Sequence, residues 1–160
     1  MHLPPEPAAA NGYGSDHISL LRRSYQRLTG QDFGPSGLLS AVDFAQAIYE
    51  APFVVVSHGP QTDPIFNYGN LAAQRLFELS WEQLVCLPSR LSAEAPNREE
   101  RARLLEAVGR QGFAQGYEGI RISQGGRRFL IQDVTVWNLS NEQGDYEGQG
   151  ALYSRWQFLD

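Results

Sequence analysis

The chain has 160 residues, a formal net charge of −5, 42% hydrophobic residues and 19% charged residues. This length and composition predict one folded domain with its own core and exclude a disordered chain. The acidic balance, without a face-sized cluster of Lys and Arg, argues against nucleic-acid binding, and no segment approaches the roughly 18 apolar residues of a membrane span.

Two amphipathic helices are predicted near the N-terminus. They follow residues 1–14, a Pro- and Gly-rich stretch without the features of a secretory signal, which we expect to be disordered in a cytoplasmic protein. The first helix begins at Ser15 and ends at Gly30, and the second spans residues 38–50, before Pro52. Residues 15–50 are therefore predicted to be a helical extension, and residues 51–158 a core domain.

The core domain is predicted to contain five strands, at residues 53–57, 65–68, 117–123, 128–139 and 146–156. Between the second and third strands, Asn70 and Ser80 are expected to cap two short helices, and residues 97–111 form a longer helix. A Gly125-Gly126 turn and a turn at residues 141–145 join the last three strands. This order predicts an α+β domain: a five-stranded antiparallel sheet with short helices on one face.

Strict alternation along the strand at residues 128–139 predicts two apolar faces, each of which needs a cover. One face has Phe129, Ile131, Asp133, Thr135, Trp137 and Leu139, and the other has Leu130, Val134 and Val136. The middle helices can cover one face, and the first helix, or a second copy of the chain, can cover the other. The interface candidates are Ile18, Leu21, Tyr25, Leu130, Val134 and Val136.

Several sequence blocks resemble a known family. Residues 65–80, IFNYGNLAAQRLFELS, are similar to the strand–Asn–helix stretch of PAS domains, and GRRF at residues 126–129 resembles their C-terminal hairpins. The MEKHLA family, a PAS-like branch, is resembled more closely. The blocks are SHG at 57–59, DPIFNYGN at 63–70, LPSRLSAE at 87–94, NREER at 97–101 and VWNL at 136–139. The resemblance implies a PAS-like fold and a sensory or dimerisation-controlling module.

The coloured cofactors of PAS domains lack their usual residues here. In the block where light-sensing domains have the flavin-reactive cysteine, this chain has Ser89, and the polar flavin contacts of the last strands correspond to Ile131 and Gly150. The helix at residues 97–111 contains no His to bind haem. We therefore expect neither flavin nor haem, no metal site, and a buried structural role for Cys86.

A pocket of apolar residues with a few polar groups is the expected binding site. Its candidates are Arg90, Leu104, Val108, Ile131, Asp133, Thr135, Trp137 and Tyr153. An inward Asp133 would need a cationic partner, for which Arg90, Arg98 and Arg101 are the candidates. The apolar members can equally be plain core.

No catalytic constellation is visible, so the sequence favours a sensory module over an enzyme. Such a module would bind a small apolar ligand or a regulatory protein and signal through homodimerisation or domain docking. The alternatives are a dimerisation module with a filled core and, further off, a small enzyme that uses the same cavity.

Overall fold

An antiparallel sheet is the centre of the computed structural model, which describes residues 3–37 and 39–159. Its strands are β1 (Val54–His58), β2 (Phe66–Gly69), β3 (Phe113–Ile122), β4 (Arg128–Ser140), β5 (Tyr146–Tyr153) and β6 (Arg155–Phe158). Their order is β2-β1-β5-β4-β3, and β6 also pairs with β4. The predicted α+β fold with an antiparallel sheet and an N-terminal helical extension is confirmed.

The helices are α1 (Ser15–Thr29), α2 (Ala41–Tyr49), α3 (Leu71–Phe77), α4 (Trp81–Leu84) and α5 (Ala95–Gln111), with a short 3-10 segment at Ser89–Ser92. The second helix begins later than predicted because the Ser40 side chain accepts from the Asp43 amide at 3.1 Å, which makes Ser40 its N-cap. Leu38, the predicted first residue, lies outside the described residues. None of the described helices is long and apolar enough to cross a membrane.

The N-terminal segment differs from its expected disorder. Residues 1 and 2 lie outside the described residues, but a 3-10 segment occupies Ala9–Gly14. The Trp81 indole donates to the Pro4 carbonyl at 2.9 Å, so α4 anchors this stretch. Composition alone predicted a mobile segment because it contains no information on such a tertiary contact.

The sheet has six strands because the last predicted strand is interrupted at Ser154. β5 pairs with β4 from Thr135 onward, and β6 continues along the same edge of β4 through Phe129 to Gln132. The interruption lies opposite Asp133 and Val134, which pair with neither strand, and Asp133 has φ +52°. On the other edge of β4, the register with β3 shifts: Tyr117 pairs with Val134 and Gly119 with Ile131, so one β3 residue faces both Gln132 and Asp133. The β3–β4 pairing therefore has a β-bulge at Asp133.

The Asp133 bulge changes which side chains share a face of β4. Ile131 before it and Val134 and Val136 after it all pack into one core, with α3 and α5. Trp137 and Leu139 pack into the other core, with α1 and α2. The predicted alternation is therefore wrong beyond residue 133, because one extra residue in a strand moves every later side chain to the opposite face.

We expect the conformation of residue 133 to tolerate Asn and to resist a β-branched residue. Asp133→Val should lower the free energy of unfolding by about 1–2 kcal/mol, since a branched Cβ is strained at positive φ, whereas Asp133→Asn should cost less than about 0.5 kcal/mol. Urea denaturation of the two variants checks this. Equal losses of unfolding free energy in the two variants would mean that the bulge does not depend on the residue type at position 133.

The two faces of the sheet have separate covers within the same chain. Of the interface candidates, Ile18, Leu21 and Tyr25 are buried in the layer between α1 and the sheet, and Val134 and Val136 are buried on the opposite face. Leu130 is half-buried. Five of the six therefore lie inside the monomer, where no second copy is needed to cover them.

Asn70 joins these layers. Its side chain is fully buried and accepts from the amides of Ala73 and Val55, at 3.1 and 3.2 Å, so it caps α3 as predicted and also binds β1. Its amide group donates to the carbonyls of Ile48 and Phe53, at 3.0 and 2.8 Å. One polar side chain thus connects α2, β1 and α3.

Candidate functional site

A cavity lies between the inner face of the sheet and α5. The cavity has a volume of about 60 Å³, enough for a few waters. Apolar side chains form most of its wall: Val56, Phe66, Phe77, Leu104, Leu105, Ile131, Val134, Val136 and Ala151. Its polar lining consists of Ser57, His58, Ser92, Arg101, Tyr117, Arg121, Gln149 and Tyr153.

Arg121 reaches the cavity from β3. The two-residue period of a strand puts Tyr117, Gly119 and Arg121 on one face. A Cβ on Gly119 would lie 2.2 Å from the Tyr117 hydroxyl and 2.9 Å from Arg121 Nη1, so a larger residue here would displace these two groups. Arg121 donates to the Ile120 carbonyl at 2.9 Å and to the Tyr117 hydroxyl at 3.2 Å, and it is only 7% exposed.

Arg101 reaches the cavity from α5. Leu104, Leu105 and Val108 follow it at helical spacing, so all four residues lie on one face of the helix. Arg101 Nη2 donates to the Ser89 hydroxyl at 2.9 Å. Burial, and after it the positive charge of Arg121, lowers the pKa of Arg101 to about 10, which leaves the side chain cationic at neutral pH.

His58 lies at the end of β1, where it is buried and bonded at both ring nitrogens. Nε2 is 3.1 Å from Gln149 Oε1, and Nδ1 is 2.8 Å from the Ser89 hydroxyl. Gln149 Nε2 donates to the Leu105 carbonyl at 3.0 Å, which orients the amide so that its oxygen faces His58. Nε2 therefore has the proton, and Nδ1 accepts from Ser89. Burial, followed by the charge of Arg101, lowers the pKa of His58 to about 4.

Ser89, His58 and Gln149 form a hydrogen-bonded line in the order in which a nucleophile, a base and an orienting group stand in a catalytic triad. The position of this line does not suit catalysis. Ser89 is completely buried and does not line the cavity, and its hydroxyl also accepts from Arg101. A base with a pKa of about 4 takes up a proton poorly at neutral pH. We interpret the line as a network that holds Arg101 and His58 in place.

Tyr153 adds an unused polar group to the cavity. Its hydroxyl is one of two buried side-chain polar atoms without a hydrogen-bond partner among the described residues. Burial raises the pKa of Tyr153, so the hydroxyl stays protonated. An unpartnered buried hydroxyl costs free energy unless a ligand or water bonds to it.

The charges of the cavity do not balance within its wall. Two cationic side chains line it and no carboxylate does. Among the described residues, the ion pairs within 4.0 Å involve neither Arg101 nor Arg121. The Tyr117 hydroxyl, which accepts from Arg121, donates to Glu100 at 2.8 Å, so this carboxylate lies one hydrogen-bonded group away from Arg121 but does not line the cavity. The cavity is therefore a largely apolar space whose charged lining residues are both cationic.

The structure brings some of the predicted pocket residues together and separates others. Leu104, Ile131 and Tyr153 line the cavity, and Val108 packs in the same core. Val134 and Val136, predicted for the interface, line it as well.

The other four pocket candidates lie elsewhere. Trp137 is buried under α1 and α2, and Thr135 follows the bulge on the same outer face. Asp133 is exposed, with Arg155 3.9 Å away in place of the predicted inward partner. Arg90 pairs with Asp63 on the surface. Cys86, expected to be buried, is exposed.

Sequence reasoning missed Arg121, His58 and Gln149 as cavity residues, and it named Arg101 only as a possible partner of Asp133. The two arginines have a recognisable signal. Arg101 shares its helical stripe with Leu104, Leu105 and Val108, and Arg121 shares its strand face with Gly119, so a cation on an otherwise inward face marked both positions. The buried position of His58 had no local signal, because it depends on Ser89 and on Gln149, 91 residues away.

Flavin and haem do not fit this cavity. A volume of about 60 Å³ is smaller than a three-ring flavin or a porphyrin. Both nitrogens of His58 are already bonded, so neither is available to iron. The exposed Cys86 does not line the cavity. Among the described residues there is also no group of three or more His, Cys, Asp or Glu that could hold a metal ion.

The comparisons with known proteins agree on the fold. The family model for the MEKHLA domain matches residues 15–158, a range that includes α1 and α2. No curated protein sequence matches the chain. The PAS domain of a protein from Colwellia psychrerythraea has a TM-score of 0.60 and 19% identity, covering 72% of this chain and 92% of that one.

A blue-light photoreceptor and a light-oxygen-voltage receptor are also similar in structure. The light-state dimer of the fungal blue-light photoreceptor Vivid has a TM-score of 0.58 and 15% identity, covering 93% of this chain and 95% of that one. An RNA-binding light-oxygen-voltage receptor has a TM-score of 0.62 and 18% identity, covering 81% of this chain and 36% of that one. At these identities the similarity shows the fold alone.

Proposed function

Since the chain belongs to the MEKHLA domain family and has a PAS-like fold, we propose that this sensory module binds a small ligand in the cavity and signals through the docking of its N-terminal helices. The observation that supports this most is that the same strands contact the cavity and those helices. In β1, Val56 and His58 face the cavity, whereas Val55 packs in the core under α1 and α2.

The contact between the two faces continues in β4. Val136 lines the cavity, and the next residue, Trp137, donates to the Leu21 carbonyl of α1 at 3.1 Å. A ligand that displaces Val136 therefore also displaces its neighbour Trp137, which is hydrogen-bonded to α1. The ligand biases the docked state only if it binds that state with a different affinity.

A dimerisation module with a filled core is the second candidate. The small size of the cavity favours it, since a few waters can occupy such a space. In this reading the partner, a second copy or a regulatory protein, would bind outside the buried layer under α1. Light scattering of the full chain with and without ligand distinguishes a ligand-controlled assembly from a constant one.

We expect the purified full chain to release a small molecule when it is denatured, at close to one equivalent, as detected by mass spectrometry. Ala151→Leu is the matched variant, because residue 151 lines the cavity and a larger side chain fills it. This variant should keep its circular dichroism spectrum and release several-fold less of the compound. Equal release from both proteins would place the compound outside the cavity.

Hydrogen exchange tests the signalling part separately. Refilling the stripped protein with the released compound should change the exchange rates of the α1 amides, because the cavity strands support that helix. If nothing is released and no metabolite in a broad panel raises the melting temperature, ligand binding is refuted. Binding without any change in α1 exchange or in oligomeric state refutes only the docking route.

A further inference from the structure

We infer that the cavity binds a small organic anion, a short-chain carboxylate, whose charged end is held by Arg101 and Arg121. This inference rests on the proposed ligand-binding function and specifies the chemical class of the ligand. The observation behind it is two arginine side chains from different elements, Arg121 buried and Arg101 half-buried, that line one cavity without a carboxylate in its wall.

The donors of both arginines are only partly used. A guanidinium has five N–H donors. Within the described residues, Arg101 makes one side-chain hydrogen bond, to Ser89, and Arg121 makes two, to Ile120 and Tyr117. The remaining donors are available for a ligand, and a planar guanidinium matches a carboxylate, with which it forms paired, charge-assisted hydrogen bonds.

Other groups at the cavity support an anion over a cation or a neutral ligand. The Tyr153 hydroxyl, which is protonated and unpartnered, can donate to a ligand oxygen. The cationic form of Arg101 has a free-energy cost at this position, because burial, and after it the positive charge of Arg121, lowers its pKa. A bound negative charge removes this cost, and a bound positive charge increases it.

The size and the rest of the wall limit the anion. With a volume of about 60 Å³, the cavity suits a small ligand of a few non-hydrogen atoms. Ile131, Val134 and Val136 form an apolar surface that suits a short hydrocarbon tail. Propionate has these properties, and propionamide is its neutral match in size and shape.

Calorimetric titration of the full chain at constant ionic strength tests the inference, with propionate, propionamide, propylamine and inorganic phosphate as probes. We expect propionate to bind at least about tenfold more tightly than propionamide, because charge-assisted hydrogen bonds are about twice as strong as neutral ones. Arg101→Met and Arg121→Met should each weaken propionate binding about tenfold or more. Arg103→Met, which removes the same charge from an exposed position on α5, should leave it unchanged.

The outcomes separate the two proposals. If propionamide binds more tightly than propionate, the inference of an anionic ligand is overturned, but the proposed sensory function is not. If the protein binds none of the probes and no compound of a broad neutral panel, both proposals are refuted. Equal binding of phosphate, or wild-type affinity in both arginine variants, would also overturn the inference. Should a variant not fold, the Nε–H NMR signals of the wild-type protein decide: those of Arg101 and Arg121 should shift with propionate, and that of Arg103 should not.

Discussion

Replacing Trp137 by Ala is expected to lower the free energy of unfolding by about 3–5 kcal/mol, the usual cost of removing a buried aromatic side chain. The side chain is 0% exposed and lies in the core between the sheet and the N-terminal helices. Its ring packs nearly perpendicular to that of Tyr25, with the ring centroids 5.0 Å apart, and its centroid lies 5.7 Å from that of Phe33. The variant would also lose the hydrogen bond to Leu21.

Urea denaturation measures this loss, and hydrogen exchange shows where it acts. The α1 amides should exchange much faster in Trp137→Ala, because the indole connects that helix to β4. Tyr146→Ala is the control, since this aromatic side chain is 48% exposed and should cost less than about 1 kcal/mol. A loss below about 1 kcal/mol for Trp137→Ala, with α1 unaffected, would show that the helices dock weakly.

Acidification is expected to destabilise the protein between about pH 6.5 and pH 4. The pKa of His58 falls from 6.5 in an exposed chain to about 4 when it is buried beside Arg101. In this range the unfolded state binds more protons than the folded state, so stability decreases as the pH falls. By pH 5, where most carboxylates are still ionised, His58 should account for about 2 kcal/mol of that decrease.

Unfolding free energies of the wild type and of His58→Gln between pH 7.5 and pH 5 check this. The variant has no imidazole to protonate, so its decrease over this range should be about 2 kcal/mol smaller. Burial also lowers the pKa of His17, to about 4, so part of the dependence should remain in His58→Gln and disappear in the double variant with His17→Gln. Identical pH profiles for the wild type and His58→Gln would mean that the folded protein accommodates a charged His58.

Local signals predicted most of the fold correctly, because they depend on a few neighbouring residues. Asn70 and Ser80 cap their helices as expected, each accepting from a backbone amide three residues later. The family resemblance, based on blocks such as DPIFNYGN at residues 63–70, placed these elements in a PAS-like order. The domain boundaries at residues 15–50 and 51–158 stay predictions.

The site was less predictable, because its residues come from separate elements. Leu104 and Ile131 were expected in the cavity as apolar residues on inward faces, and they line it. Arg121 was not expected there, and Arg101 was expected only as a possible partner of Asp133, although each follows the period of its own element. Cations are usually solvated, and only the packing of α5 against β3 brings both to the cavity.

By itself, the sequence determined the order of the elements, the antiparallel sheet and the family, since caps, turns and alternation are local properties. The tertiary structure alone decided which face of β4 each side chain occupies, because the bulge at Asp133 reverses the alternation and exchanges Trp137 with Val136. It also decided that two arginines meet in one apolar cavity. The physical reason is the same in both cases: a side chain's surroundings depend on pairing partners far along the chain, which no local period encodes.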